Sequence, residues 1–160
     1  IAIAVTLSIG SVAGAEKAAS EYKETIELSF PLNAAGEFSL DNTNGSFELT
    51  TWDKEEVRII AEKKMRLDDG PVSWLWKLIG LRSEKIETDE DARKLFEQLA
   101  VEVSGDEARR VVKTEYPEST SGISFSVAYT VTTPRGASVR VDTTNGAIRI
   151  DDVGGGVDAE

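Results

Sequence analysis

The sequence predicts a mainly β fold, a β-solenoid-like stack of short strands and hairpins with a small helical insertion, on three observations. The first is an internal repeat: Asp41-Asn42-Thr43-Asn44-Gly45-Ser46-Phe47-Glu48-Leu49 returns as Asp142-Thr143-Thr144-Asn145-Gly146-Ala147-Ile148-Arg149-Ile150. The second is alternation. Phe38 and Leu40 precede the first copy, Val139 and Val141 precede the second, and the same apolar/polar period resumes after each turn, as in a half-buried strand. The third is spacing, because short strands follow one another closely and regularly between Thr25 and Lys63, which favours a β stack over an α/β unit.

Taken in order, Ile1 to Ala15 is uncharged, opens on the apolar run Ile1 to Ile9 and ends in the small-x-small site Ala13-Gly14-Ala15. That is the pattern of a secretory signal cleaved after Ala15, and the run is too short for a bilayer, which needs about 20 apolar residues. A buried core strand is the alternative. With no Met and no charged n-region ahead of it, the N-terminus reads as clipped. The mature domain is then residues 16–160.

Ile26, Leu28 and Phe30 alternate with Thr25, Glu27 and Ser29 until Pro31 stops the strand. Asn33-Ala34-Ala35-Gly36 is a loop, and Glu37 to Asp41 the next strand. Asn44-Gly45 and Asn145-Gly146 read as two-residue hairpin turns, because both residue types tolerate the positive φ such turns demand. They are therefore structural repeat turns before they are ligand contacts. Beyond the first turn Phe47 and Leu49 face inward and Ser46, Glu48 and Thr50 outward. Trp52-Asp53-Lys54-Glu55 connects to a strand through Val57, Ile59 and Ala61 to about Lys63.

Leu67 to Pro71 is loop chemistry, and a helical insertion is expected at about residues 71–99. Val72 to Leu81 is the most apolar stretch of the mature chain. Two readings of it stand: a cover over an open end or face of the sheet, since Trp is commonly buried, or an exposed patch in which Trp74 and Trp76 meet a membrane surface or a partner. Thr88 or Asp89 caps a helix from Glu90 to Gln98, acidic in its first turn, with Ala92, Leu95, Phe96 and Leu99 on one face. Val101 and Val103 open a strand that Ser104-Gly105-Asp106-Glu107 turns back into Val111 to Tyr116. After the polar loop Pro117 to Gly122, a longer strand alternates Ile123, Phe125, Val127, Tyr129 and Val131, and Thr133-Pro134-Arg135-Gly136 leads into Ala137 to Asp142. Asp151 to Glu160 reads as the start of a further repeat. An open β end exposes unpaired backbone, so self-association is expected there.

Composition narrows the chemistry. The 160 residues contain no Cys and no His, which removes disulfides, thiol nucleophiles, the usual zinc ligands and imidazole catalysis. The formal net charge of −11 falls wholly after Ala15 and argues against nucleic acid, whose phosphates it would repel. Asp41, Asp142, Asp151, Asp152 and Asp158 lie near turns and offer oxygens of the kind calcium takes, but no spacing matches a calcium loop. No catalytic, cofactor-binding or metal residue is assigned.

The succession of signal, Phe38-Ser39-Leu40-Asp41-Asn42-Thr43-Asn44-Gly45, Thr51-Trp52-Asp53, a helix after Thr88-Asp89-Glu90, Tyr129 to Gly136, and Val139 to Gly146 resembles the bacterial adhesin-type family of β-strand-repeat proteins, a domain of unknown function. The resemblance runs from about Tyr22 to the end. It implies an extracytoplasmic β-solenoid, periplasmic, envelope-bound or extracellular, and no catalytic residues. The Trp74 to Leu81 segment is longer and more hydrophobic than that family leads one to expect.

The functional expectation is a non-catalytic surface or envelope protein, adhesin-like or a binding scaffold, that meets a cell-surface glycan, an envelope protein or a membrane surface. The alternatives are a sensory ectodomain of an envelope signalling system, which the resemblance alone suggests, and a glycan-active enzyme using two carboxylates about 5 to 9.5 Å apart. With 29 acidic residues in the protein, some pair meets that distance by chance.

Overall fold

A computed structural model describes residues 21–67, 89–118 and 122–160. The signal-like segment and the stretch with Trp74 and Trp76 lie outside the described residues. In order, the protein forms β1 (Glu21–Pro31), β2 (Glu37–Asn44), β3 (Phe47–Trp52), β4 (Glu56–Leu67), α1 (Asp89–Glu97), β5 (Ala100–Gly105), β6 (Arg109–Glu115), β7 (Ile123–Pro134), β8 (Ser138–Asn145), β9 (Ile148–Ile150) and β10 (Val157–Ala159). The fold is mainly β.

The strands make two mixed sheets of five. The first has the order β1-β4-β7-β3-β9 and the second β10-β8-β2-β6-β5. In the first, β1, β4 and β7 are antiparallel, whereas β3 runs parallel to both β7 and β9. In the second, β10, β8, β2 and β6 are parallel and β5 turns back antiparallel on β6.

Alternation decides which side of each strand is buried. Phe38 and Leu40 of β2, Phe47 and Leu49 of β3, Val57, Ile59, Ala61 and Met65 of β4, Val127, Tyr129 and Val131 of β7, and Val139 and Val141 of β8 join one core. Each large side chain removed from water there is worth about 1.5–3 kcal/mol. Thr114 of β6 and Tyr129 of β7 tie the sheets across that core by a hydroxyl pair at 2.6 Å. Helix α1 completes it on the β1 and β4 side. Ala92, Leu95, Phe96 and Leu99 are buried, the Phe96 ring lies 6.1 Å from that of Tyr22 of β1, and Lys63 of β4 sits beneath it.

Two sequence expectations change. The Asn-Gly pairs are not hairpin turns: no pairing joins β2 to β3 or β8 to β9 among the described strands, and each pair instead leads from the second sheet into the first. The hydrogen bonds a hairpin would have used go to a parallel neighbour. Nor are all the strands short, since β1, β4 and β7 run 11, 12 and 12 residues. The turn at Gly105, by contrast, does close a hairpin, with Gly105 at φ 97° and the Asp106 carboxylate accepting from the N–H groups of Ala108 and Arg109. Those two bonds hold the Asp106 carboxyl below the usual carboxylate range.

Candidate functional site

Three places concentrate polar chemistry: the stacked Asn-Gly corners, the corner opposite them, and the outer face of the first sheet. At the first, β2 and β8 lie in register from Glu37 with Ser138 to Asn44 with Asn145. The Gly45 N–H donates to the Asn145 carbonyl at 2.9 Å and the Phe47 N–H to that of Ala147 at 2.9 Å. Asn145 Nδ2 donates to Asn44 Oδ1 at 3.1 Å. Below them Asn42, 3 % exposed, donates through Nδ2 to the Val127 carbonyl at 2.9 Å, and its Oδ1 accepts from the Tyr116 hydroxyl at 2.6 Å. That hydroxyl accepts in turn from the Asn44 N–H at 3.0 Å. Burial pushes the Tyr116 hydroxyl pKa up, as it does for Tyr129.

At the first corner these bonds satisfy the Val127 carbonyl and the Asn44 and Gly45 N–H groups. At the position of Asn42, the second copy has Thr143, whose buried Oγ1 has no partner among the described residues.

At the opposite corner Arg135, which follows β7, reaches Asp53 at 3.3 Å and Asp152 at 2.6 Å. The Asp53 hydrogen bond and the charge of Asp152 raise its pKa further. Thr51 Oγ1 donates to the Asp152 carbonyl at 2.9 Å, and Asp152 has φ 55°. Asp152, one of the aspartates set aside as calcium donors, is thus paired with an arginine. Asp41 and Asp142 are neighbours on the β2–β8 ladder with Lys113 on the other side of Asp41. Among the described residues no group of three or more acidic side chains converges on a point.

The outer face of the first sheet is set by the pleat. Residues alternate in and out, so Glu48 and Thr50 of β3 share that face with Thr130 and Thr132 of β7, and with Arg58 and Ile60 of β4. Arg149 lies beside Glu48 and Glu27 beside Ile60. Thr50 and Thr132 hydroxyls are 3.2 Å apart, and Arg58 pairs with Glu27 at 2.6 Å. Trp52 falls on the same face at the end of β3, beside Pro134. Its indole N–H donates to the Glu56 carbonyl at 2.7 Å and Lys54 sits 4.6 Å from its ring centre.

The sequence pattern places Trp52 in a connection, whereas it ends β3. Its place in the period-two count, in line with Glu48 and Thr50, was the signal for a surface position. Trp74 and Trp76, the partner contacts expected from sequence, lie outside the described residues.

Lys63 is the other feature that sequence reading passed over. It occupies an inward position of β4 with its side chain 7 % exposed, pairs with Glu24 at 2.7 Å and lies 4.9 Å from the centre of the Phe96 ring. A buried ammonium needs such partners, because its desolvation is otherwise uncompensated. It anchors α1 to the sheet. Compared with family models, with curated proteins and with solved structures, the protein matches none.

Proposed function

We propose that the protein is an exported, non-catalytic binding module of the bacterial cell envelope, adhesin-like in that it meets a glycan or envelope protein over a broad β surface. The outer face of the first sheet is that surface. One observation supports the reading: hydroxyl and charged side chains stand there in register, Thr50 beside Thr132 and Glu48 between Thr130 and Arg149, with Trp52 at the edge. Strands about 4.8 Å apart present these groups as a fixed lattice. Little side-chain order then has to be imposed on binding, which favours a polyhydroxylated partner. Trp52 adds an aromatic edge of the kind that lines ligand sites.

The architecture that goes with this reading is a β-solenoid. Val139 of β8 and Val157 of β10, one circuit apart through β9, are side by side and parallel, and β2 lies on the other side of β8. Each circuit contributes one strand to each sheet.

The test is a sedimentation and titration assay of the purified protein against insoluble peptidoglycan, a soluble glycan mixture and anionic vesicles. Saturable glycan binding is expected, and Thr50→Glu with Thr132→Glu weakens it about tenfold or more at unchanged melting temperature. Binding that survives the double variant moves the contact off the first sheet. Binding to vesicles alone, lost in Trp74→Ala and Trp76→Ala, replaces the reading with a membrane one.

A further inference from the structure

Charge is spread unevenly along the outer face of the first sheet. Towards the Trp52 end it is balanced, with Arg58 paired to Glu27 at 2.6 Å and Arg149 to Asp151 at 3.4 Å. The other end of β4 is different. Lys64 and Arg66 stand two residues apart on that face, Lys23 of β1 lies directly opposite Lys64, and Ser126 and Ser124 of β7 lie opposite Lys64 and Arg66 on the other side. Like charges directly opposite one another on an antiparallel pair repel, so stability alone does not favour this arrangement. The neighbouring acids neutralise it only in part. Glu21 reaches Lys23 at 3.4 Å, but Glu62 is 4.0 Å from Lys64, at the limit of an ion pair, and the exposed Arg66 has no ion pair among the described residues. Three cations thus meet two carboxylates, in a protein whose formal net charge is −11.

Ammonium and guanidinium groups beside serine hydroxyls suit an oxyanion. The lysines attract it as point charges, Arg66 offers a planar fork of N–H donors, and the hydroxyls complete its hydrogen bonds. The patch shares its face with the hydroxyls of Thr50 and Thr132 but stands well away from them. From Arg58, in register with Thr132, the strand rises about 20 Å to Lys64. One sugar does not span that distance, whereas a polymer does.

We propose that the partner of this face is an anionic polysaccharide, whose phosphate, sulfate or carboxylate groups meet Lys23, Lys64 and Arg66 while its hydroxyls run over Thr132 and Thr50. This rests on the binding reading above and adds the charge class of the ligand. A polyanion is attracted at this end of the sheet and repelled by the carboxylate excess of the protein as a whole, so charge fixes the register in which it lies.

The experiment titrates the 160-residue protein with neutral dextran and with carboxymethylated, sulfated and phosphorylated dextrans of the same length, so that only the anionic group varies. At least one charged dextran is expected to bind about tenfold tighter than the neutral one at low salt, the gain of a charge-assisted contact or more. That preference should vanish at about 1 M salt, where charges are screened beyond roughly 3 Å. It should also vanish in the double variant Lys64→Gln with Arg66→Gln, at unchanged melting temperature. Equal affinity for neutral and charged dextrans overturns this inference and leaves the broad binding surface standing. A preference that survives the double variant overturns it as well, by moving the anion elsewhere. Binding to no dextran at all overturns it and counts against the glycan reading on which it rests. Anionic vesicles bound in preference to every dextran, and released by the double variant, would assign the patch to a lipid surface and overturn the polysaccharide.

Discussion

At the first Asn-Gly corner, Gly45 and Phe47 give their N–H groups to Asn145 and Ala147, Val127 closes over the glycine, and buried Asn42 joins Tyr116 to the neighbouring strand. At the second, Asn145 and Gly146 are exposed, the Gly146 N–H has no partner among the described residues, and Thr143 stands where Asn42 would with its hydroxyl unpaired among them. The local code is nearly the same in both. What differs is what packs on the far side: Tyr116 and the Val127 carbonyl reach the first corner, whereas β10 pairs with β8 from Val139 to Val141.

Substitution of the glycines tests that difference most severely. Gly45 has φ 131°, and a Cβ there would overlap the Val127 carbonyl oxygen. Gly45→Ala is expected to cost about 3 kcal/mol or more in urea unfolding. A Cβ on Gly146 would overlap the Gly45 carbonyl oxygen, but Gly146 lacks the positive φ that adds strain at Gly45. Gly146→Ala should therefore cost about 1–2 kcal/mol. Equal losses would show the outer corner to be as firmly held as the inner one.

The next contrast is between the residues beneath the corners. Asn42→Ala strands the Val127 carbonyl and removes the Tyr116 hydroxyl's shortest bond, leaving that hydroxyl only its contacts with Asn44, an expected loss of about 2–3 kcal/mol. Thr143→Val removes a hydroxyl that has no partner among the described residues, and stability should stay within about 0.5 kcal/mol or rise. A marked loss on Thr143→Val would reveal a bond at the outer corner and erase the distinction.

The smallest expected effect is on pH dependence. The Tyr116 pKa is raised above the ordinary 10.0 by burial, so folding favours the protonated hydroxyl. Its contribution is fully present below that value and is lost as pH rises through the higher folded pKa, because the unfolded state releases its proton first. Tyr116→Phe should lower stability by about 1 kcal/mol at neutral pH and make the alkaline decline shallower. A decline of unchanged steepness would assign it to Tyr129 and Lys113, whose values are also raised.

The expected inward residues Phe38, Leu40, Phe47, Leu49, Val127, Tyr129 and Val131 are buried, and Ala92, Leu95, Phe96 and Leu99 form the buried face of α1. Those positions were legible because period two and period 3.6 are printed in the order of side chains. The surface lattice was legible only in part: Thr50 and Glu48 were placed outward, but that Thr132 and Thr130 would stand beside them required knowing that β3 pairs with β7. Lys63 was not legible as a buried cation, because its burial depends on Glu24 and Phe96, which come from distant segments.

By itself, the sequence determined where strands run, which of their faces meet the core, and where the backbone must turn, since these follow from side-chain size, polarity and the backbone freedom of Asn and Gly. Only the tertiary structure decided that β2 pairs with β6 and β8 and that the Asn-Gly turns join two sheets. The physical reason is that backbone N–H and C=O groups are alike from residue to residue, so a strand carries little record of its neighbour. The neighbour is chosen by the packing of side chains far apart in sequence.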